Sequence, residues 1–170
     1  MKIKNKKGFS IAETLIAVFI LVVGLVSLIF LTANSMKNSM DSRDQIIAGA
    51  LAQEGVELVR NIRDTNLASG ASNIFQNIPD TSTGCIDYSN SSVSSCGYQL
   101  YLSGSNFYLH SSSGTIPTKF FRKIIISTLD ANTKSITSYV SWNGSAPDTT
   151  KCNAANKCVS VQDTLVNTGI

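Results

Sequence analysis

Apolar positions along the chain fall into two regimes. Residues 14–36, "TLIAVFILVVGLVSLIFLTANSM", carry no charge and are dominated by Leu, Ile, Val, Ala and Phe. A bilayer core takes about 20 apolar helical residues, so this run is long enough to span one. After Lys37 the pattern becomes amphipathic. Ile47, Leu51, Leu58 and Ile62 recur at helical spacing, and Ala48, Ala52, Gly55 and Val59 widen the stripe to an arc of roughly 140°. Gln53, Glu57, Arg60 and Asp64 fall on the opposite face, with Arg60 placed to pair with Asp64 one turn on. The Asn, Ser and Gly of "NLASGAS" predict a stop between Asn66 and Gly70. The two regimes predict one helix from about Ser10 to Ala68, on the order of 85 Å long at 1.5 Å per residue. Gly24 and Asn34–Asn38 are the points where an interruption would fall.

Beyond the helix the period shortens. Residues 70–97 are rich in Ser, Asn, Thr and Gly and read as a long loop with at most short elements. "YQLYLSGSNFYLH" places two β-prone runs around Ser103–Asn106, a hairpin signal. "KFFRKIIISTLD" and "SITSYVSW" flank "ANTK" as a second hairpin. A loop from Asn143 to Lys157 precedes a last strand, "CVSVQDTLV". Helix, loop, then four or five strands predict an α+β fold. A long N-terminal α-helix, membrane-spanning in its first half, lays its second half on an antiparallel β-sheet head.

Charge changes the picture at one end only. Lys2, Lys4, Lys6 and Lys7 precede Gly8 without an acid among them, and they exceed the formal net charge of +3 for the whole chain. The basic balance therefore belongs to a short leader. No basic cluster with interleaved aromatics occurs elsewhere, and no nucleic-acid partner is expected. Lysines before the apolar run and few just after it predict the N-terminus in the cytoplasm and the head outside. Cys85, Cys96, Cys152 and Cys158 would then sit in an oxidising space. Four cysteines permit three connectivities, of which the sequence-local pairing, Cys85–Cys96 and Cys152–Cys158, is preferred. Their spacings and the lone His110 fit zinc poorly, so no metal and no cofactor are expected.

The apolar run is too long for an ordinary cleaved secretory signal, and "FLTANS" puts Leu31 where a small residue belongs. A plain single-span anchor explains length and orientation but leaves Glu13 unexplained. A carboxylate near the membrane interface is tolerated by lipid yet gains nothing there unless paired. No Lys, Arg or His lies between Phe9 and Met36. Its partner would be on another chain, or be an amino group created by cleavage.

These residues carry a resemblance. "KKGFSIAETLIAVFILVVGL" resembles the class III leader and N-terminal helix of type IV pilins and related pseudopilins. In that family a short basic leader ends in Gly, the next residue is usually Phe, and Glu stands at the fifth mature position; Gly8, Phe9 and Glu13 match. The resemblance covers residues 1 to about 35. It implies cleavage between Gly8 and Phe9 by a membrane-embedded prepilin peptidase, N-methylation of Phe9, and pairing of Glu13 with the Phe9 amine of a neighbouring subunit. Such a buried pair fixes register more than it adds stability. The implied divisions are a leader (1–8), a transmembrane and assembly helix (9–36), its amphipathic continuation (37–68) and the head (69–170). The implied partners are the bilayer before assembly, an inner-membrane assembly platform, and other subunits of a cell-surface filament. The helix-kinking proline of many major pilins has no counterpart here. "FSIAETLIA", "YVSW" and "VSVQDTLVN" lean towards minor pilins of the pilus-modification subgroup.

No catalytic residues are expected. His110 lies in a strand pattern without a Ser, Asp or Cys partner at a motif spacing, and GxSxG, HExxH, Walker and GxGxxG patterns are missing. Asp130 and Asp148 read as turn residues, and one carboxylate in the last loop is too few for calcium. Phe120, Phe121, Tyr139 and Trp142 read as core or sheet-face packing. The expected function is a minor pilin, a structural subunit incorporated in or priming a type IV pilus. The alternatives are a pseudopilin of a type II secretion or DNA-uptake system, and an uncleaved single-span anchored surface binding module.

Overall fold

A computed structural model describes residues 10–113 and 115–167. It contains one long helix, α1 (Ile11–Ala68), followed by six strands: β1 (Thr81–Gly84), β2 (Gln99–Leu102), β3 (Tyr108–Leu109), β4 (Ile116–Asp130), β5 (Thr133–Ser141) and β6 (Cys158–Val166). The class is α+β, with α1 packed on an antiparallel sheet. The chain divides into two compact units at Ser42 and Arg43.

The first unit is helical from Ile11 onward, and the helix runs unbroken through Gly24 and Asn34–Asn38, the points where an interruption would fall. No proline is present, and one helical Gly costs only about 1 kcal/mol relative to Ala. Thr14, Ser27 and Thr32 in the apolar run close their hydroxyls on the helix itself. Ser27 Oγ donates to the Val23 carbonyl at 2.9 Å and Thr32 Oγ1 to the Leu28 carbonyl at 2.8 Å. Back-bonding of this kind satisfies polar atoms without water, as a lipid environment demands. The large apolar side chains from Ile11 to Met36 are all exposed, from 49% at Val22 to 80% at Ile11. By length and composition this is a helix able to cross a membrane.

In the second unit the amphipathic stripe meets the sheet. Ala48, Leu51, Ala52, Gly55, Val56 and Val59 are buried. The helix ends in a Schellman motif: the Gly70 N–H donates to the Leu67 carbonyl, the Ala71 N–H to that of Asn66, and Gly70 has φ +69°. The sheet runs β3-β2-β4-β5-β6, and β1 pairs with the later part of β4. β4 and β5 form a long hairpin with Ile126 opposite Ile136, and β6 pairs β5 from Ser141–Cys158 to Thr133–Val166. Alternation along β4 sends Phe120, Arg122, Ile124 and Ile126 to the helix side.

Two clusters make the core. Val56, Val59, Ile124, Ile126, Ile136 and Leu165 meet Phe75 and Ile78 in one. Ala48, Leu51, Ala52, Leu100, Phe120, Val140 and Trp142 form the other. Phe121 and Tyr139 are half-buried on the opposite face. The expected Arg60–Asp64 pair is replaced. Arg60 binds Glu57 at 2.5 Å and reaches across to Asp163 on β6 at 2.6 Å, while Asp64 is taken by Arg63 at 2.6 Å. Glu57 on the same helix and Asp163 on the facing strand together occupy Arg60, and Asp64 is left to its neighbour.

Candidate functional site

At the N-terminal end, Ser10 caps α1. Its carbonyl accepts from the Glu13 N–H at 3.0 Å and the Thr14 N–H at 3.2 Å, which fixes the first turn. Glu13 therefore stands in that turn, exposed, where unpaired N–H groups and the helix dipole favour a carboxylate. Among the described residues its side chain makes no ion pair. The cleavage and methylation positions, Gly8 and Phe9, lie outside the described residues, as does the 1–8 leader. The structure thus places Glu13 at the head of an uncovered apolar helix.

In the head the cysteines are joined as Cys85–Cys96, with Cα atoms 5.9 Å apart, and Cys152–Cys158, 4.9 Å apart. The first bridge closes the loop between β1 and β2, where Cys85 also pairs with Ser94 as an isolated β-bridge. The second closes the loop before β6.

A group of hydrogen-bonded polar side chains lies around the first bridge. Asp87 is buried. Its Oδ1 accepts from the Ser89 N–H, the Ser89 hydroxyl at 2.6 Å and the Asn90 amide, and its Oδ2 from the His110 N–H at 3.1 Å. Burial alone would raise this carboxyl, but those bonds outweigh it and hold it below the usual range. His110 follows β3 rather than lying within it, and is half-buried. Its Nδ1 is 3.2 Å from the Gln99 carbonyl, so that nitrogen carries the proton and donates. Nε2 is buried with no hydrogen-bond partner among the described residues. Burial, and next the nearby Arg122 charge, push the imidazole down to about 4 against the opposing pull of Asp87. The ring is neutral at physiological pH.

Cys85, Cys96 and His110 bring ligand-type atoms within 4.8 Å of one another. Both sulfurs are spent in the disulfide, and a disulfide sulfur is no thiolate, so the group does not form a zinc set. His110 Nδ1 lies 3.6 Å from Cys96 Sγ without a hydroxyl or thiol to activate. The cluster clasps a loop.

Sequence reasoning missed the charged residues inside the sheet's helix-facing side. Arg122 has no exposed surface. Its guanidinium donates to the Leu51 carbonyl at 3.2 Å and the Ile86 carbonyl at 2.6 Å, and stands 3.2 Å from Glu54. It joins α1, the β1–β2 loop and β4. Lys134 is buried as well, and donates to the Ile78 carbonyl and Asp80, each at 2.8 Å. The signal was available for Arg122: it shares the even parity of Phe120, Ile124 and Ile126. Asp130 and Asp148 accept from the backbone two residues on, as Asx turns do.

No family model matches this chain, and no curated protein and no solved structure matches it at a significant level.

Proposed function

We propose that the chain is a type IV pilin-like subunit, a minor pilin that is inserted in the cytoplasmic membrane and then drawn into a filament. The observation that carries this reading is the state of α1 at residues 11–36. It is unbroken, apolar, wholly exposed, and headed by a carboxylate with no ion-pair partner among the described residues. Lipid can cover that surface before assembly, and the same segments of neighbouring subunits can cover it afterwards. On this reading a prepilin peptidase cuts between Gly8 and Phe9, Phe9 is N-methylated, and Glu13 pairs with the new amine of an adjacent subunit. The head stays outside the cytoplasm, where disulfides persist, and reaches the cell surface with the pilus.

Intact mass of the protein from its native membrane and from sheared surface fibres tests this. The expected mass lacks residues 1–8, carries one methyl on Phe9, and is short of four hydrogens for two disulfides. Material that keeps residues 1–8 in every fraction, with none in fibres, would overturn the reading.

One observation favours an uncleaved single-span anchor instead. Glu13 sits in the first helical turn, where a carboxylate is favourable without any partner. Glu13→Ala separates the two. Loss of fibre incorporation with normal membrane insertion supports the pilin reading, whereas unchanged behaviour supports the anchor.

A further inference from the structure

We infer that the head carries a binding cleft for a neutral carbohydrate, lined by the last turns of α1 and by the loops around Asn77 and Tyr88. The cleft has a volume of about 280 Å³ and lies within the second unit. Its floor is apolar, made by the half-buried Leu58 and Ile62. Its wall carries Tyr88, 55% exposed, whose ring is held by Phe107 with centroids 5.0 Å apart. An exposed aromatic ring beside a polar cleft offers a flat apolar surface at little entropic cost.

The polar lining is made of amides and hydroxyls, with no charged side chain. Its hydrogen-bonding capacity is divided. Asn61 Oδ1 accepts from Thr65, which leaves the Asn61 amide hydrogens to donate. Asn66 spends both amide hydrogens on the Ile74 and Gln76 carbonyls, which leaves its Oδ1 to accept. Asn90 gives one hydrogen to Asp87 and keeps its oxygen. Asn77 is held with φ +65°, a left-handed conformation that Asn tolerates better than other side-chain-bearing residues. A ligand suited to this lining must donate and accept at neighbouring points, carry no charge, and present an apolar face. Sugar hydroxyls and the C–H face of a pyranose ring have that combination. A peptide strand would look for a free sheet edge, whereas side chains of α1 and loops line this cleft. The cleft belongs to the head alone and binds whether or not the chain enters a filament.

The test uses the full chain in phosphocholine micelles, since glycosidic detergents would compete. Saturation-transfer NMR is recorded with lactose, N-acetyllactosamine and maltose, and with 3′-sialyllactose and sulfated lactose as charged controls. A sugar of this size is expected to bind with Kd of roughly 1 mM. Binding of at least one neutral sugar, weakened tenfold or more by Tyr88→Ala and by Asn61→Ala but retained in Tyr88→Trp, supports the inference. Both positions are exposed, and an unchanged unfolding temperature confirms that the variants are folded. No transfer to any neutral sugar at about 10 mM, binding of the charged sugars alone, or binding indifferent to both alanine variants each overturns it.

Discussion

A Cβ placed on Gly55 would stand 2.6 Å from the Ser138 hydroxyl oxygen. It would also meet Ile124 Cδ1 at 2.9 Å and Arg122 Cδ at 3.1 Å. The helix can approach the sheet closely here because it has no side chain at this point. Gly55→Ala should gain about 1 kcal/mol of helix propensity and still leave the head destabilised by up to about 2 kcal/mol net, because overpacking costs about 1–3. Gly49, helical with open space around it, is the control: Gly49→Ala should stabilise by about 0.5–1 kcal/mol. Thermal unfolding followed by far-UV circular dichroism reads both, and a stabilised Gly55→Ala would disprove the close approach.

Arg122 is the next consequence of that approach. Its guanidinium satisfies two carbonyls away from water and stands against Glu54, whose side chain stays 39% exposed. Arg122→Ala should cost about 3–5 kcal/mol, since it leaves a void, buried acceptors and a carboxylate without its partner. Arg122→Met fills the volume and should recover a substantial part of that loss. Glu54→Gln keeps the shape and should cost about 1 kcal/mol. Urea unfolding of the three variants, measured at one protein concentration, checks the order.

Much of the fold was legible because burial imposes periods. The stripe from Ile47 to Ile62 followed the helix period, and "SGSN" between aromatic runs marked the β2–β3 hairpin. What stayed hidden was set by partners distant in sequence. Arg122 reads locally as a surface charge in a basic strand. The Leu51 and Ile86 carbonyls, 71 and 36 residues away, and the Glu54 carboxylate make its burial tolerable. The surroundings of His110 are set the same way, by Gln99, Asp87 and the bridge at Cys96. Of the proposed assembly site, the motif is a property of sequence, and the helix adds that Glu13 stands in its first turn.

His110 makes stability depend on pH. Its imidazole is near 6.5 in the unfolded chain and about 4 in the head. Between those values the unfolded chain binds the proton first. Stability is therefore full above pH 6.5 and falls as pH drops towards 4, by up to about 3 kcal/mol. Asp87, held below its ordinary range, adds a loss of the same sign at lower pH. His110→Gln should flatten the decline between pH 6.5 and 4 while leaving the acid limb below pH 4. Chemical denaturation midpoints across pH 4–8 measure it.

The two bridges should differ in effect. Cys85–Cys96 spans 11 residues and Cys152–Cys158 spans 6, so the entropic contributions are both about 2–3 kcal/mol. Cys85 is buried beside Arg122, and removing its bridge also loosens the carbonyl of Ile86 that Arg122 holds. Replacing Cys85 and Cys96 by Ser should lower the unfolding temperature more than replacing Cys152 and Cys158. Scanning calorimetry of the two double variants decides it.

Two roles compete for Glu13, and charge distinguishes them. A first-turn carboxylate interacts with the helix N-terminus for about 0.3–1 kcal/mol, and Gln supplies a comparable hydrogen-bond acceptor there. Pairing with an ammonium in an apolar filament core is different, because a neutral amide leaves the buried charge uncompensated at a cost of about 3–5 kcal/mol. Glu13→Gln should therefore insert and fold as the parent does, with unchanged helicity in micelles, yet fall out of sheared fibres by roughly a hundredfold or more, as a loss of that size implies. Co-expressing parent and variant sharpens the reading, since a charge-pairing defect lowers only the variant's share in the fibre. If Glu13→Gln chains are incorporated at the parent's level, the carboxylate is a helix cap and the pairing role is wrong.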